Sequence, residues 1–410
     1  MPLKSILSKK TLVILGLNSG TSADGLDMAC IQVTRTKRRP KIKFLTSSEK
    51  PYPSALQDLV LKIADSETVD LNALIHLENL LGQFYGQAAR EYIRELAKAR
   101  ISVDVVASHG QTVRHLPERV RVGRFSVNGT LQLGSLDQIA AITGRIVIGD
   151  FRQADIACGG EGAPITTGAM HRLFASYEEA RLIVNIGGMA NFFFLPAQKS
   201  GLPAIAADCG PGNSLCDTLA SVLFGEKFDR NGERAAKGTI SQRLLCLLMS
   251  DPFFTGGRVS TGRETFGREM VQKMMAFRKR SRLSGEDLLA TAVELTAAAI
   301  TRKVQPLVGA NKDLSKLYLT GGGRRNSFLV KRLKTLLPEV QIRPGDELGI
   351  NADFIEAAAY AVMSEACLRA EPLNAMSGGN NKGADCIMGR IAQPPANVPK
   401  MTDSAGKSRQ

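Results

Sequence analysis

The 410-residue sequence contains no tryptophan, and only 5% of its residues are aromatic. No apolar run approaches the roughly twenty residues that a membrane-spanning helix needs. Its seven cysteines form no Cys-x-x-Cys pair, and its four histidines show no ligand spacing, so a zinc site is unsupported. An odd cysteine count without a disulfide framework is typical of a reducing compartment, and we expect a cytoplasmic protein.

The excess of basic residues is large, with a formal net charge of +14. Two basic runs stand out, Lys37 to Lys43 and Arg278 to Arg282, and neither is interleaved with aromatic residues that stack on bases. We therefore expect no nucleic-acid partner and no membrane partner. A basic surface instead raises the local concentration of anionic small molecules such as nucleoside triphosphates.

The chain is long enough for two or three domains with a cleft between them. A helical pattern over residues 71–97 is followed by an apolar strand, Val103 to Ser108, and the alternation of strand and helix predicts an α/β fold. We place an N-terminal lobe at 1–140, completed by part of 370–395. A C-terminal lobe follows at 141–370, and a Pro-rich tail at 396–410 is expected to be disordered.

The segment Gly16 to Asp27 runs out of one apolar strand and back into another, with glycines and hydroxyls at its tip. Glycine lets a ligand approach the backbone N–H groups, and hydroxyls add donors, which together describe a cradle for phosphate oxygens. An ordinary polar hairpin turn is the alternative, because the same residues favour turns for conformational reasons.

Two more loops, DCGPGN at 208–213 and TGGGRRN at 320–326, also follow strands and expose glycine backbone, and NIGG at 185–188 echoes the first hairpin. This pattern in two similar halves resembles the superfamily of actin, hexokinase and the heat-shock chaperone ATPases. The resemblance implies two RNase H-like lobes with a nucleotide cleft between them.

A closer resemblance covers residues 11–392. The motifs GTSADGLD, ASHGQT, TLQLG, GDFRQAD, GGEGAP, NIGGMAN, DCGPGN, FDRNG, STGRE, TGGGRRNS and ADFIEAAAYA are similar, in order, to those of the anhydro-N-acetylmuramic acid kinase family. The family's activity implies that water opens a 1,6-anhydro sugar while O6 takes the γ-phosphoryl group of ATP, a step in cell-wall recycling. Levoglucosan kinase is the alternative, because Asn18 stands where the bacterial muramic-acid enzymes usually have methionine. A non-catalytic actin-like ATP switch is a second alternative.

The resemblance also implies the site residues. Asp208 is the expected general base, although an aspartate here also caps turns, and Glu356 is the expected acid near the sugar, although an acid also suits a helix N-terminus. The residues implied for ATP are Gly20, Thr21, Ser22, Asp24, Gly25, Asp27, Gly187, Gly188, Gly321, Gly322 and Gly323. Those implied for the sugar are His109, Asp150, Arg152 and Asn213.

Mg²⁺ is expected with ATP, because the β- and γ-oxygens need neutralisation during transfer, but its protein ligands are not assigned. Asn18 replaces an acidic residue of the wider superfamily, and Cys209 replaces the family's threonine. The second change predicts the loss of a hydroxyl donor to phosphate or water. A homodimer is implied by the family alone.

Overall fold

The computed structural model describes residues 3–37, 39–255, 266, 268–373 and 386–396. Its strands are β1 (Thr11–Ser19), β2 (Gly25–Thr34), β3 (Lys41–Pro51), β4 (Val105–Val122), β5 (Phe125–Leu133), β6 (Ile146–Gly149), β7 (Arg181–Ile186), β8 (Met189–Leu195), β9 (Ile205–Pro211), β10 (Lys316–Thr320), β11 (Gln341–Pro344) and β12 (Arg390–Ala392). Its helices are α1 (Leu3–Ser8), α2 (Ser54–Asp65), α3 (Leu71–Lys98), α4 (Leu136–Thr143), α5 (Phe151–Ala157), α6 (Thr167–Phe174), α7 (Asn213–Phe224), α8 (Gln242–Met249), α9 (Pro252–Thr255), α10 (Arg268–Ser281), α11 (Gly285–Ala310), α12 (Ser327–Leu336) and α13 (Ile355–Leu368).

Two sheets share one topology. In the first sheet the strands run in the order β3-β2-β1-β4-β6, with β12 outside β6 and β5 paired with β4. In the second the order is β9-β8-β7-β10-β11. Each begins with an antiparallel meander, whose first strand then pairs in parallel with the fourth. This order is RNase H-like in both sheets, and the predicted α/β class with two such lobes is confirmed.

The apolar strand β1 is central to the first sheet and is buried on both faces, as a strand covered by helices on each side must be. Leu12 and Ile14 join a cluster with α13, whereas Leu15 and Leu17 join a cluster with α3 on the opposite face. This alternation follows the two-residue period of a strand.

Helix α13 is buried around its circumference and packs on β1, β2 and β4. At Gly16 a Cβ atom would overlap the carbonyl oxygen of Ala357, so the glycine allows helix and strand to approach closely. The same apolar cluster includes Ile183 and Phe193 of the second sheet. Helix α13 therefore lies where side chains from both sheets converge, and its first turn carries Glu356.

Three short elements border the candidate site and the edge of the first sheet. Helix α13 begins at Ile355, directly after a 3₁₀ turn at Ala352–Phe354. Asn213 is the first residue of α7, and Gly212 occupies its N-cap. The final strand, Arg390–Ala392, pairs with β6.

Strand β6 lies in the first sheet beside β4, beyond residue 140, where the sequence placed the start of the second lobe. The lobe boundaries stay a prediction. Among the described residues no helix is long and apolar enough to cross a bilayer. The STGRE motif at 260–264 and the predicted tail beyond 396 lie outside the described residues.

Cys158 and Cys386 form a disulfide, with their Cα atoms 6.5 Å apart. The bridge differs from the expectation of no disulfide framework. Spacing gave no indication of it, because 228 residues separate the two cysteines and they meet only when β12 returns to the first sheet.

Candidate active site

Two glycine turns meet between the sheets. The first turn, residues 20–24, joins β1 to β2, and the second turn, Gly187 and Gly188, joins β7 to β8. A Cβ atom at Gly188 would lie 3.0 Å from the Thr21 hydroxyl. The structure thus brings together the residues predicted to contact phosphate from the two lobes.

A buried polar network anchors the first turn. Gln111 donates from Nε2 to the Gly20 carbonyl oxygen at 3.1 Å, and its Oε1 accepts from the Ser19 hydroxyl at 2.7 Å. The Tyr52 hydroxyl donates to Ser19 Oγ at 2.9 Å. Sequence reasoning missed Gln111 and Tyr52. The HGQT motif was a usable signal, because β4 runs parallel to β1 and pairs Gln111 with Ser19.

The DCGPGN loop packs on the second turn. The backbone N–H of Gly212 donates to the Gly188 carbonyl oxygen at 3.0 Å, and that of Asn213 donates to the Gly187 carbonyl oxygen at 2.8 Å. A Cβ atom at Gly212 would overlap the Gly187 oxygen, so only glycine fits. The second turn and the start of α7 therefore form one rigid unit.

Asn213 also borders the three glycines after β10. Cβ atoms at Gly322 and Gly323 would lie 3.4 and 3.0 Å from its side-chain amide, and Asn213 Nδ2 donates to the Ile186 carbonyl oxygen at 3.2 Å. The structure places Asn213 among the glycines predicted for the nucleotide. Its sugar contact stays a prediction.

A row of polar side chains crosses the second sheet. Asp208 on β9 is the register partner of Asn191 on β8, which pairs with Asn185 on β7, which pairs with Thr320 on β10. We call these four residues the polar row. Directly paired residues share a face, here the face of Ile183, Phe193, Ala206 and Tyr318, which packs into the cluster that contains α13. Asp208 is thus aimed toward the first lobe.

Cys209 lies on the opposite face of β9 from Asp208. Its side chain is fully buried in the apolar cluster with Phe253 and Phe254, and burial raises the pKa of its thiol. The predicted loss of a hydroxyl donor to phosphate or water is therefore wrong, because a side chain at position 209 faces the apolar core and not the cleft.

Glu356 is held by one amide from each lobe. Asn18 Nδ2 donates to Oε2 at 3.1 Å, and Asn185 Nδ2 donates to Oε1 at 3.1 Å. Burial raises the pKa of Glu356, while the Asn18 hydrogen bond and the nearby Arg152 guanidinium act in the opposite direction. Sequence reasoning missed both amides, which lie 338 and 171 residues from Glu356.

Arg152 and His109 form a second polar cluster beside α13. Arg152 Nε donates to His109 Nε2 at 2.9 Å, and the His109 ring stacks on Tyr360 with centroids 4.5 Å apart. Burial, and then the Arg152 charge, hold the pKa of His109 well below its usual range. Because Nε2 accepts, the neutral ring carries its proton on Nδ1, which donates to the Gly110 carbonyl oxygen at 3.0 Å.

Both nitrogens of His109 are thus occupied by protein, so the histidine positions Arg152 in this structure. Asp150, two residues before Arg152, has φ of 58°, a left-handed conformation that is uncommon outside glycine. It lies at the N-cap of α5 but makes no side-chain cap bond. The sugar contacts predicted for these residues stay predictions.

Asp27 pairs across the first hairpin with Asn18. Burial raises the pKa of Asp27 to about 7, and the negative charges of Asp24 and Glu356 add to the effect. Asp24 itself accepts from the Ser22 hydroxyl at 2.9 Å within the turn. Among the described residues no group of three or more His, Cys, Asp or Glu side chains is arranged to hold a metal ion.

The chain is similar to solved structures of low sequence identity. The activator of 2-hydroxyisocaproyl-CoA dehydratase from Clostridium difficile with bound ADPNP is 13% identical, with 88% of this chain and 96% of that chain covered and a TM-score of 0.41. A ROK family glucokinase from Streptomyces griseus, in complex with glucose and AMPPNP, is 10% identical, with 85% and 98% covered and a TM-score of 0.34.

Sequence relatives are closer. The profile of the family described as anhydro-N-acetylmuramic acid kinase matches residues 12–394. The anhydro-N-acetylmuramic acid kinase of Caldanaerobacter subterraneus subsp. tengcongensis is 32% identical over 390 residues, which is 94% of this chain and 98% of the relative. That of Coxiella burnetii is 34% identical over 381 residues, with 92% and 96% covered.

Proposed function

This chain belongs to the anhydro-N-acetylmuramic acid kinase family, and on that premise we propose that it converts 1,6-anhydro-N-acetylmuramic acid, water and ATP to N-acetylmuramic acid 6-phosphate and ADP. The water oxygen bonds to the anomeric carbon, and the bond from that carbon to O6 breaks. O6 then takes the γ-phosphoryl group, and ADP leaves. Such a reaction serves the recycling of cell-wall sugars.

We assign the general base to Asp208. One observation carries the proposal: the polar row directs Asp208 toward the face on which α13 presents Glu356, and Asn185 of that row hydrogen-bonds Glu356. Two carboxylates on facing elements suit a reaction in which one removes a proton from water while the other receives sugar hydroxyls. Neither role follows from spacing in the sequence alone.

Use of ATP follows from membership of a kinase family, and we place its phosphates between the first and second turns. Backbone N–H groups and the hydroxyls of Thr21 and Ser22 lie there, and positioning by such donors dominates phosphoryl transfer. Mg²⁺ would arrive on the nucleotide and neutralise its phosphate charge. The absence of a three-ligand group among the described residues suits an ion held mainly by phosphate and water.

Arg152 is our candidate for the lactyl carboxylate of the substrate. Its guanidinium is already oriented by His109 and by the Gly162 carbonyl oxygen, and a planar fork of donors matches a carboxylate. Levoglucosan carries no carboxylate, so a substrate preference tests this assignment. The family and its relatives favour neither levoglucosan as the substrate nor a non-catalytic switch.

The decisive experiment is a coupled assay of ADP release. We expect release that depends on anhydro-N-acetylmuramic acid, a lower kcat/KM with levoglucosan, and a loss of activity of at least about 100-fold in Asp208→Asn with ATP binding retained. Asp58→Asn, at an exposed site on α2, is the matched control and should behave as the wild type. Sugar-independent ATP hydrolysis, or normal turnover by Asp208→Asn, would refute the proposal.

We further propose a cytoplasmic location and a homodimer. The first rests on where a nucleotide substrate is abundant, and the second on the family alone. Cell fractionation and light scattering on the purified chain test them separately.

A further inference from the structure

Asn191 is the one member of the polar row without a partner for its side chain among the described residues. Thr320 donates to Asn185, and Asn185 donates to Glu356. Asn191 lies between Asn185 and Asp208 in the polar row. Its amide oxygen is buried and makes no hydrogen bond to any of the described residues.

A buried polar atom without a hydrogen-bond partner destabilises a folded protein. Such an atom in a folded protein calls for a physical explanation, and the neighbourhood supplies one. Asn191 Oδ1 is an acceptor next to a carboxylate, on the face of the sheet that looks toward Glu356 and the first lobe. No group among residues 3–37, 39–255, 268–373 and 386–396 donates to this oxygen, and water and the sugar are the two donors that can reach the site from solution.

We propose, resting on the proposed function, that the Asn191 amide oxygen accepts a hydrogen bond from the water that opens the anhydro bridge. Asp208 takes one proton of this water, and the second O–H remains bonded to Asn191 Oδ1. With both O–H groups directed at the protein, a lone pair of the water oxygen points away from the sheet. That lone pair attacks the anomeric carbon, the bond to O6 breaks, and O6 takes the phosphoryl group.

The geometry of the sheet supports this division of labour. A directly opposed pair on neighbouring antiparallel strands has Cβ atoms about 4.5–5.5 Å apart, a separation that one water molecule bridges. Two acceptors fixed on rigid strands restrict the orientation of the water more than one carboxylate does. When a reacting atom is displaced by about 1 Å from its near-attack position, the rate falls about 100-fold.

The test begins with Asn191→Leu, which keeps the volume and removes both polar atoms. We expect kcat to fall about 100-fold with KM for sugar and ATP nearly unchanged. We also expect the unfolding temperature to be equal or higher, because a buried amide without a partner is replaced by an apolar group. Asn72→Leu, at an exposed position in the first turn of α3, is the control and should leave the kinetics unchanged.

A second variant keeps the oxygen. Asn191→Asp retains an acceptor but adds a negative charge beside Asp208, which raises the pKa of the pair. We expect this variant to recover part of the lost rate at high pH, with the acidic limb of its kcat profile moved upward relative to the wild type. A role in packing alone predicts no such shift, so this profile decides the matter even if Asn191→Leu fails to fold.

Unchanged kcat in Asn191→Leu overturns the inference. So does a rise in sugar KM with kcat preserved, which would assign Asn191 to the substrate and not to the water. If the wild type shows no sugar-dependent ADP release, the proposed function is refuted. If the wild type is active and the Asn191 variants keep its kcat, only the role of Asn191 is refuted.

Discussion

At the scale of single residues, Glu356 shows how a carboxylate is set for chemistry by neighbours that are distant in sequence. Burial raises its pKa, whereas the amide of Asn18 favours the charged form. Asn18 is also the position at which the family resemblance implies a methionine. A methionine there would not donate to Glu356, whereas Asn18 does.

Asn18→Met tests that link. Removing the donor should raise the pKa of Glu356 further, so the carboxylate would be protonated at a higher pH than in the wild type. Because a hydrogen bond to a charged group is worth about 1.5–3 kcal/mol, the acidic limb of the rate profile should move up by about one to two pH units. The profile of kcat against pH measures the shift, and an unmoved limb would separate Asn18 from the ionisation of Glu356.

Asp27 predicts a dependence of stability on pH. Its pKa is about 7 in the folded chain against 3.8 for the free side chain, so the fold favours the protonated form. Its contribution is therefore fully present below pH 3.8 and is lost as pH rises toward 7. Asp27→Asn, which stays neutral, should be more stable than the wild type by about 2 kcal/mol at pH 8, after discounting for partial exposure.

Denaturant unfolding at pH 5 and pH 8 measures this effect. The gain in free energy of unfolding should be smaller at pH 5. An equal gain in the free energy of unfolding at pH 5 and pH 8 would show that burial does not raise the pKa of Asp27. Asp58→Asn on α2 is the exposed control and should show no gain at either pH.

At the scale of elements, the approach of α13 to β1 determines where Glu356 lies. Gly16 leaves no room for a side chain, because a Cβ atom there would overlap the Ala357 carbonyl. The adjacent residue on α13 is Glu356 itself. A displacement of the helix therefore changes the distance between Glu356 and the amides of Asn18 and Asn185.

Gly16→Ala should lower both stability and turnover. We expect a loss of about 1–3 kcal/mol from overpacking and a fall in kcat, because α13 must shift away from the sheet. Gly309→Ala, near the end of α11, is the matched control, since a Cβ atom there meets nothing within 4 Å. It should stabilise the chain by about 0.5–1 kcal/mol and leave kcat unchanged. Equal behaviour of the two variants would contradict the close approach.

At the scale of the whole molecule, one apolar cluster joins the two lobes. It includes Ile14 and Val105 of the first sheet, Phe193 and Tyr318 of the second, and most of α13. Domains joined by a shared core unfold together, whereas domains that meet only across a polar surface unfold separately.

We therefore expect one calorimetric transition for the full chain, with the van't Hoff enthalpy close to the calorimetric value. A non-hydrolysable ATP analogue at about 100 times its Kd should stabilise that single transition by about 2.7 kcal/mol. Two transitions, of which the analogue moves only one, would show that the lobes are independent units.

Much of this architecture was predictable because it is local. The apolar runs of β1, β4 and β7 and the helical period of α3 depend on neighbours within a few residues. Glycine turns are similarly visible where hydroxyls and glycines follow an apolar strand. The motif order indicated the family and, through it, Asp208 and Glu356.

The partners of those carboxylates were not predictable, because they depend on strand register and on contacts between residues that are distant in sequence. Asn18, Asn185 and Glu356 are separated by most of the chain and meet only when α13 packs between the sheets. Cys209 illustrates the same limit. From the sequence we expected the loss of a hydroxyl donor at this position, but the two-residue period of β9 directs the side chain toward the core. The sequence by itself determined the two lobes, the glycine turns and the family, since local patterning encodes them. Only the tertiary structure decided which amides flank Glu356 and Asp208, because strand pairing aligns residues that no short-range pattern relates.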